Sequence, residues 1–316
     1  MSTRRSFLKN SGIVTAGLGL TGFAPLVSQL QKPIGMASPK ISLAQWSLHR
    51  ALESKSVNPE DFATIASREY GIKAVEYVNS FYMDQGENEN FWKQMKERAD
   101  MEGVKSLLIM VDNEGALGDA DPNLRKQAVE NHYKWIHASK ILGGHSIRVN
   151  AFGNGSRESL RVALTESLGQ LAAYGAKEGI HVLIENHGLH TSDARFMAGI
   201  INDVAHPYLG TLPDFGNWCL TTEWGSTQDG TCKDIYDPAA GLATFLPYAR
   251  GVSAKSYNFN DEGYDTVINY PLLLSLVKAS GYSGYIGIEY EGMVLPEPDG
   301  IRATKKLIEK VWTGQG

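Results

Sequence analysis

From Pro39 onward the chain alternates short β-prone apolar runs with longer stretches of helical periodicity. The pattern predicts strands over 41–46, 74–79, 106–112, 146–150, 181–185, 210–214, 252–256 and 285–290. They recur about every 35 residues, room for one strand, one helix and two loops. Asn58-Pro59-Glu60-Asp61 opens a helix that puts Phe62, Ile65 and Ala66 on one face. Asp121-Pro122-Asn123 opens another through Val129, Tyr133 and Ile136, and Tyr270-Pro271 a third. Further helices are expected over 90–102 and 157–178. Gly103, Gly143, Gly179 and Gly281 each follow a helix, where a left-handed cap is needed.

Strict strand–helix alternation implies parallel strands with crossover helices. Eight such units predict an α/β fold, a single-domain (β/α)8 TIM barrel over residues 38–316. An open doubly wound sheet usually carries a Gly-x-Gly-x-x-Gly turn after an early strand, and none follows a predicted strand here.

The C-terminal strand ends of a barrel carry its chemistry. Side chains alternate along a strand, so Val182 and Ile184 facing the helices send Glu185 inward. By the same parity Ile286 and Ile288 send Glu289 inward. Asp214 ends the sixth run. Arg148 and Asn150 share the inward parity of the fourth, Ser253 and Lys255 that of the seventh. One face thus gathers Glu76, Asp112, Arg148, Asn150, Glu185, Asp214, Lys255 and Glu289. Acids ending strands five, six and eight converge and repel, so a cation or bound protons must offset them. A divalent metal on Glu185, Asp214 and Glu289 is the economical answer, with hard carboxylates suiting magnesium or manganese. Asp112 and Glu114 are read as solvated or capping residues.

Composition narrows the partners. The balance of 42% hydrophobic and 21% charged residues is that of a globular protein, and the formal charge is -5. No basic stripe with interleaved aromatics is present, which argues against nucleic acid. Residues 1–37 differ from the rest: Arg4-Arg5-Ser6-Phe7-Leu8-Lys9 precedes an apolar, glycine-rich stretch, and the segment holds no acid. It resembles a twin-arginine export signal, predicting a periplasmic protein with no membrane attachment after cleavage. An uncleaved segment would instead be a single anchor. The only cysteines, Cys219 and Cys232, lie in a Gly/Thr/Asp-rich stretch that reads as one long loop. An oxidising compartment permits a disulfide between them.

Leu183-Ile184-Glu185-Asn186-His187-Gly188, Asp214-Phe215-Gly216-Asn217 and Gly287-Ile288-Glu289-Tyr290-Glu291-Gly292 together resemble the xylose isomerase-like sugar isomerase/epimerase superfamily. The resemblance spans 41–311. It implies a divalent metal (manganese, magnesium, cobalt or zinc) held by acids on strands five, six and eight and a histidine on strand seven. Glu185, Asp214 and Glu289 match three positions. The family's strand-seven pattern is often His-x-Lys; here Lys255 matches and Ser253 replaces the histidine. A neutral serine weakens the site, and a metal-free site balanced by Lys255 is the alternative. The resemblance also implies that Glu185 and Glu289 exchange a proton across a sugar, with the metal or Lys255 stabilising the enediolate. Gln45, Arg148, Asn150, His187 and Asn217 are the candidate substrate contacts. His49 is expected to line the same cup, and Trp46, Tyr77 and Trp218 are candidate stacking platforms. Arg148 is equally read as a partner of Glu185 or Glu76. The implied partner is a small-molecule sugar, and family members are often dimers or tetramers, so a homo-oligomer is expected.

The leading expectation is a periplasmic sugar isomerase or epimerase. A lyase or hydratase acting on a keto-sugar or 3-keto-glycoside would share the first proton loss. A non-catalytic carbohydrate-binding barrel is the third reading. A DNA-repair endonuclease on this fold would need a histidine-rich zinc cluster and a basic face, which the sequence lacks.

Overall fold

The computed structural model describes residues 38–228 and 230–314. The expected export signal over 1–37 lies outside them. The strands are β1 (Ile41–Ala44), β2 (Ala74–Val78), β3 (Lys105–Val111), β4 (Ser146–Val149), β5 (His181–Glu185), β6 (Leu209–Leu212), β7 (Val252–Ser256) and β8 (Ile286–Tyr290). They form one parallel sheet in the order β6-β5-β4-β3-β2-β1-β8-β7. The remaining seam, β6 against β7, closes through the bridges Thr211↔Ala249 and Asp214↔Ser253. Pro213 has no N–H to extend that ladder. Its carbonyl accepts from Ser253 N at 2.9 Å, and Phe215 N donates to Ser253 O at 3.0 Å. The (β/α)8 expectation is met, and β6 stops two residues short of the predicted end.

A long helix follows each strand: Phe62–Tyr70, Glu89–Met101, Pro122–Leu142, Arg157–Glu178, Ala194–Val204, Pro238–Phe245, Tyr270–Ala279 and Glu297–Thr313. Polar side-chain caps start six of them. Asp121 accepts from Asn123 N, Asp193 from Phe196 N and Asp237 from Ala240 N, each satisfying a donor the first turn leaves unpaired. The helices at 194–204, 238–245 and 297–313 add to those expected from the sequence, although Asp237-Pro238 carries the same start signal as Asp121-Pro122. Among the described residues, no helix is long and apolar enough to cross a membrane.

Strand alternation builds two apolar layers. Val75, Ile109, Ile147, Val182, Ile184, Ile286 and Ile288 face outward and pack with Trp92, Trp135, Leu168 and Leu307 of the helices. Ala44, Val78, Leu108, Met110, Leu183 and Leu212 fill the interior. Tyr77 and Trp218, candidate platforms in sequence, are fully buried in the outer layer. Tyr77 meets Phe62 edge-on, and Trp218 packs on Phe245 and against Gly241, where a Cβ would approach the indole within 2.2 Å.

The chain leaves β1 at Ala44 and coils into a 3-10 turn over Gln45–Leu48. The expected strand over 41–46 therefore ends two residues early, and inward–outward parity is lost at Gln45. The long β6-to-helix loop is tied by a Cys219–Cys232 disulfide, Cα atoms 5.7 Å apart. Cys219 N donates to Gly225 O, Leu220 N to Asp234 O, and Leu189 N to Thr222 O, lashing that loop to the end of β5.

Candidate active site

β5, β6 and β8 deliver Glu185, Asp214 and Glu289 to one point. A carboxylate oxygen from each lies within 4.8 Å of the others, and all three side chains are buried. Local chemistry fixes each. Asp214 Oδ1 accepts from Gly216 N at 2.7 Å and Asn217 N at 2.8 Å, a turn in which the Asx side chain caps its own backbone. The Asn186 amide donates to the Asp214 and Asn217 carbonyls and accepts from Asp214 N, clamping β6 to β5. Ser253 Oγ reaches Asp214 Oδ2 at 2.6 Å and Glu289 Oε2 at 3.3 Å. Lys255 Nζ donates at 2.8 Å to both Glu289 Oε1 and Glu291 Oε1.

Arg148 fills the other side. Its Nη1 donates to Asp112 Oδ1 at 2.5 Å, and its Nε lies 2.7 Å from Glu185 Oε2. That second pairing is ionic: the N–H is not aligned, so neither Nε nor Oε2 makes a hydrogen bond. Asn150 Nδ2 donates to Asp112 Oδ1 at 2.7 Å, and His187 Nδ1 sits 2.7 Å from Asn150 Oδ1. Asn217 Nδ2 completes the ring on Glu185 Oε1 at 3.3 Å.

Burial pushes Glu185 well above the usual carboxylate range, Arg148 pulling it back and Glu289 and Asp214 pushing it further up. Burial takes Asp214 up to about 7, opposed by Lys255 and reinforced by Glu289. For Lys255, burial works against the charge, but Glu289 and Glu291 outweigh it and hold the ammonium protonated. Burial, then Arg148 and Lys255, keep the His187 imidazole neutral. Beneath the triad, Glu76 accepts from Ser42 Oγ at 2.6 Å, and burial lifts it to about 7. Its carboxyl fits because residue 287 is glycine: a Cβ there would lie 2.7 Å from Glu76 Oε1.

Five carboxyl groups (Glu185, Asp214, Glu289, Asp112 and Glu291) thus share two cations, Lys255 and Arg148. The surplus negative charge, a Glu185 Oε2 that accepts no hydrogen bond and an all-oxygen donor set completed by the Ser253 hydroxyl fit a hard divalent cation.

The triad underlies a cavity of about 660 Å³ at the C-terminal strand ends. Arg148, Glu289, His187 and Asp112 form part of its lining, with Trp46, Val78, Phe81, Trp224 and Glu291. Asn150 lines an adjoining recess of about 270 Å³. Gln45 is placed differently from its expected contact role. It is fully buried in the wall, donating to Tyr82 Oη at 2.7 Å and accepting from Val78 N at 2.9 Å, because the 3-10 turn carries it off the inward row. His49 stacks on Trp46 and bonds its carbonyl. Asp112 and Glu114 are not solvated caps: Asp112 anchors Arg148, and Glu114 is buried against Lys134 and Trp135 Nε1. Arg148 pairs with Glu185 and Asp112, not Glu76. Sequence reasoning misses Phe81, Trp224 and Glu291 as site residues. Glu291 is visible as the second acid of the Glu-x-Glu pair at the end of β8; Phe81, in a 3-10 turn after β2, and Trp224, on the loop after β6, carry no local signal.

These features define a closed parallel (β/α)8 barrel whose C-terminal mouth holds a buried tricarboxylate centre. The chain belongs to the xylose isomerase-like TIM barrel family, whose model matches residues 65–311. Among solved structures it is similar to an E. coli 3-keto-D-glucoside 4-epimerase in its apo form, with TM-score 0.64 and 15% identity over 85% of this chain and 98% of that one. An L-ribulose 3-epimerase superposes with TM-score 0.65 at 12% identity, covering 88% and 97% of the two chains. A xylose isomerase-like barrel protein from Mycobacterium smegmatis, in complex with magnesium, gives 0.62 at 15% identity over 88% and 97%. No curated protein matches the chain. At these identities the structural likeness speaks for the fold.

Proposed function

We propose that the protein is a sugar epimerase or isomerase that moves a proton on the carbon beside a carbonyl. The observation that carries this is the unlike pair Glu185 and Glu289 beside one buried centre. Glu289 faces the cavity, paired with Lys255, and is positioned to take the substrate proton. Glu185, buried at the end of β5 beside the same centre, is positioned to return one. Arg148 keeps Glu185 in place, and the neutral His187 ring offers a nitrogen to a substrate hydroxyl. Lys255, buried and charged, stabilises negative charge developing on the substrate oxygens.

Glu185, Asp214 and Glu289 would hold the divalent cation, which would polarise the carbonyl when bound. We assign it as magnesium or manganese rather than zinc, because the donors are all oxygen and no imidazole is among them. The titration of Asp214 near 7 supports a site that exchanges protons for a cation around neutrality. The twin-arginine motif further supports export to the periplasm, tested by whether Arg4→Lys with Arg5→Lys retains the protein in the cytoplasm.

The test of the activity is deuterium incorporation from D2O into recovered keto-sugars, with elemental metal analysis of protein purified without chelator. Exchange at a single carbon, lost in Glu289→Gln, supports the proposal. Elimination without exchange assigns the lyase reading instead, and binding without either assigns the non-catalytic one.

A further inference from the structure

The cavity is larger than one sugar needs. A hexose displaces about six waters at ~30 Å³ each, roughly 180 Å³, against about 660 Å³ enclosed here. The catalytic groups occupy only the floor. Above them the walls are aromatic: Trp46 and Phe81, with centroids 6.2 Å apart, on one side, and Trp224 on the other.

Trp224 has a costly placement. It is 43% exposed although large and apolar, and its backbone is left-handed, with φ of 68°. Such strain persists only where the surroundings enforce it. Here they do. Gly188 and Gly225 approach so closely that a Cβ on Gly188 would lie 2.3 Å from Thr222 O and 2.6 Å from Gly225 N. Gly188 also bridges Glu223, and the Cys219–Cys232 bond spans the segment. The indole then stands edge-on to His187 at 4.9 Å and to Phe152 at 5.7 Å, joining the catalytic floor to the mouth. Lys55 and Asn113, which also line the cavity, are left-handed too, with φ of 58° and 61°. Three of the five non-glycine residues with positive φ among those described thus surround this mouth.

The charges around the mouth do not favour an anionic ligand. Glu53, Asp112, Glu289 and Glu291 line the cavity against only Lys55 and Arg148, and Arg148 is already committed to Asp112 and Glu185. An uncharged ligand with C–H faces for aromatic rings and hydroxyls for a polar rim suits this lining.

We propose that Trp224, with Trp46 and Phe81 opposite, forms a subsite for a second ring, so that the substrate is an uncharged glycoside or disaccharide rather than a free monosaccharide or sugar phosphate. The inference rests on the sugar-epimerase reading of the floor. The reacting ring lies on the carboxylate centre, and the aglycone ring lies against the Trp224 indole.

The experiment is calorimetric titration of the full chain with 3-keto-D-glucose and with its phenyl α- and β-glycosides. One phenyl glycoside is expected to bind at least tenfold more tightly than the free keto-sugar. Trp224→Ala should shrink that ratio below threefold, and Trp224→Phe, which keeps a ring, should retain part of it. Equal affinities in the unsubstituted protein, no binding of any probe, or a ratio untouched by Trp224→Ala would overturn the subsite. If the alanine variant fails to fold, the ratio in the unsubstituted protein decides. Binding and turnover separate the two readings: a tenfold preference without deuterium exchange sinks the epimerase and leaves the subsite. Exchange into the free sugar without any preference does the reverse.

Discussion

The inner wall of the barrel mouth has two unlike halves. Strands β4 to β8 contribute Arg148, Glu185, Asp214, Lys255 and Glu289, all buried and mutually bonded. Strands β1 to β3 contribute Ala44, Val78 and Met110, backed by Trp46 and Phe81, with Glu76 beneath the triad and Asp112 turned to Arg148 as their only acids at the centre. The charged half is a network in which each group is held by its neighbours, and removal of one leaves others unpaired. The apolar half touches a ligand through shape and C–H contacts, which are individually weak. The difference separates chemistry from recognition: the same cavity carries reacting groups on one side and an adaptable wall on the other.

The sharpest way to break this division is to neutralise the charged half. Glu289→Gln and Glu185→Gln should each lower kcat by roughly 10²–10⁴-fold, read as loss of deuterium exchange. Folding should survive, because each change also removes repulsion among buried acids. A large loss of thermal stability would show that these acids are structural.

Arg148→Met comes next and should act on stability. It strands Glu185 and Asp112 without their cation. Breaking a buried pair from one side costs about 3–5 kcal/mol, measurable by urea denaturation. Equal stability to the unsubstituted protein would mean that water reaches both carboxylates.

Replacing Cys219 and Cys232 together with serine removes a loop constraint worth about 3 kcal/mol in the chain-entropy account. A lower Tm is expected, together with a raised KM through a loosened Trp224. An unchanged KM would uncouple the loop from the cavity.

Glu76 has an effect spread over a range of pH and a defined sign. Its folded value of about 7 exceeds the value of an exposed glutamate, so between roughly pH 4.5 and 7 the native state holds the extra proton. Stability therefore falls as pH rises through that window, by at most about 1.4 kcal/mol per pH unit for this group. Glu76→Gln should flatten the dependence of Tm on pH between 5 and 8. A slope as steep as before would assign it to Asp214 and Glu185.

The two halves are not equally legible in the sequence. Alternation along β5 and β8 is enough to aim Glu185 and Glu289 inward, because parity in a straight strand is a local property. Parity fails at Gln45, where the chain has already left β1 for a 3-10 turn. The aromatic wall escapes sequence reasoning for a related reason. Tyr77 and Trp218 lie near strands and face the helices, whereas Phe81 reaches the cavity from a 3-10 turn and Trp224 from a loop.

The sequence by itself determined the eight-fold alternation, the parallel strands that alternation demands, and the three acids at their ends. These follow from period, cap and spacing, which act within a few residues. Only the tertiary structure decided that Arg148 pairs with Glu185 and Asp112, that Ser253 links Asp214 to Glu289, and that Trp224 stands over His187. Those contacts join residues far apart in the chain, and their geometry depends on strand register, on loop closure and on a glycine at 287 that leaves room for a carboxyl.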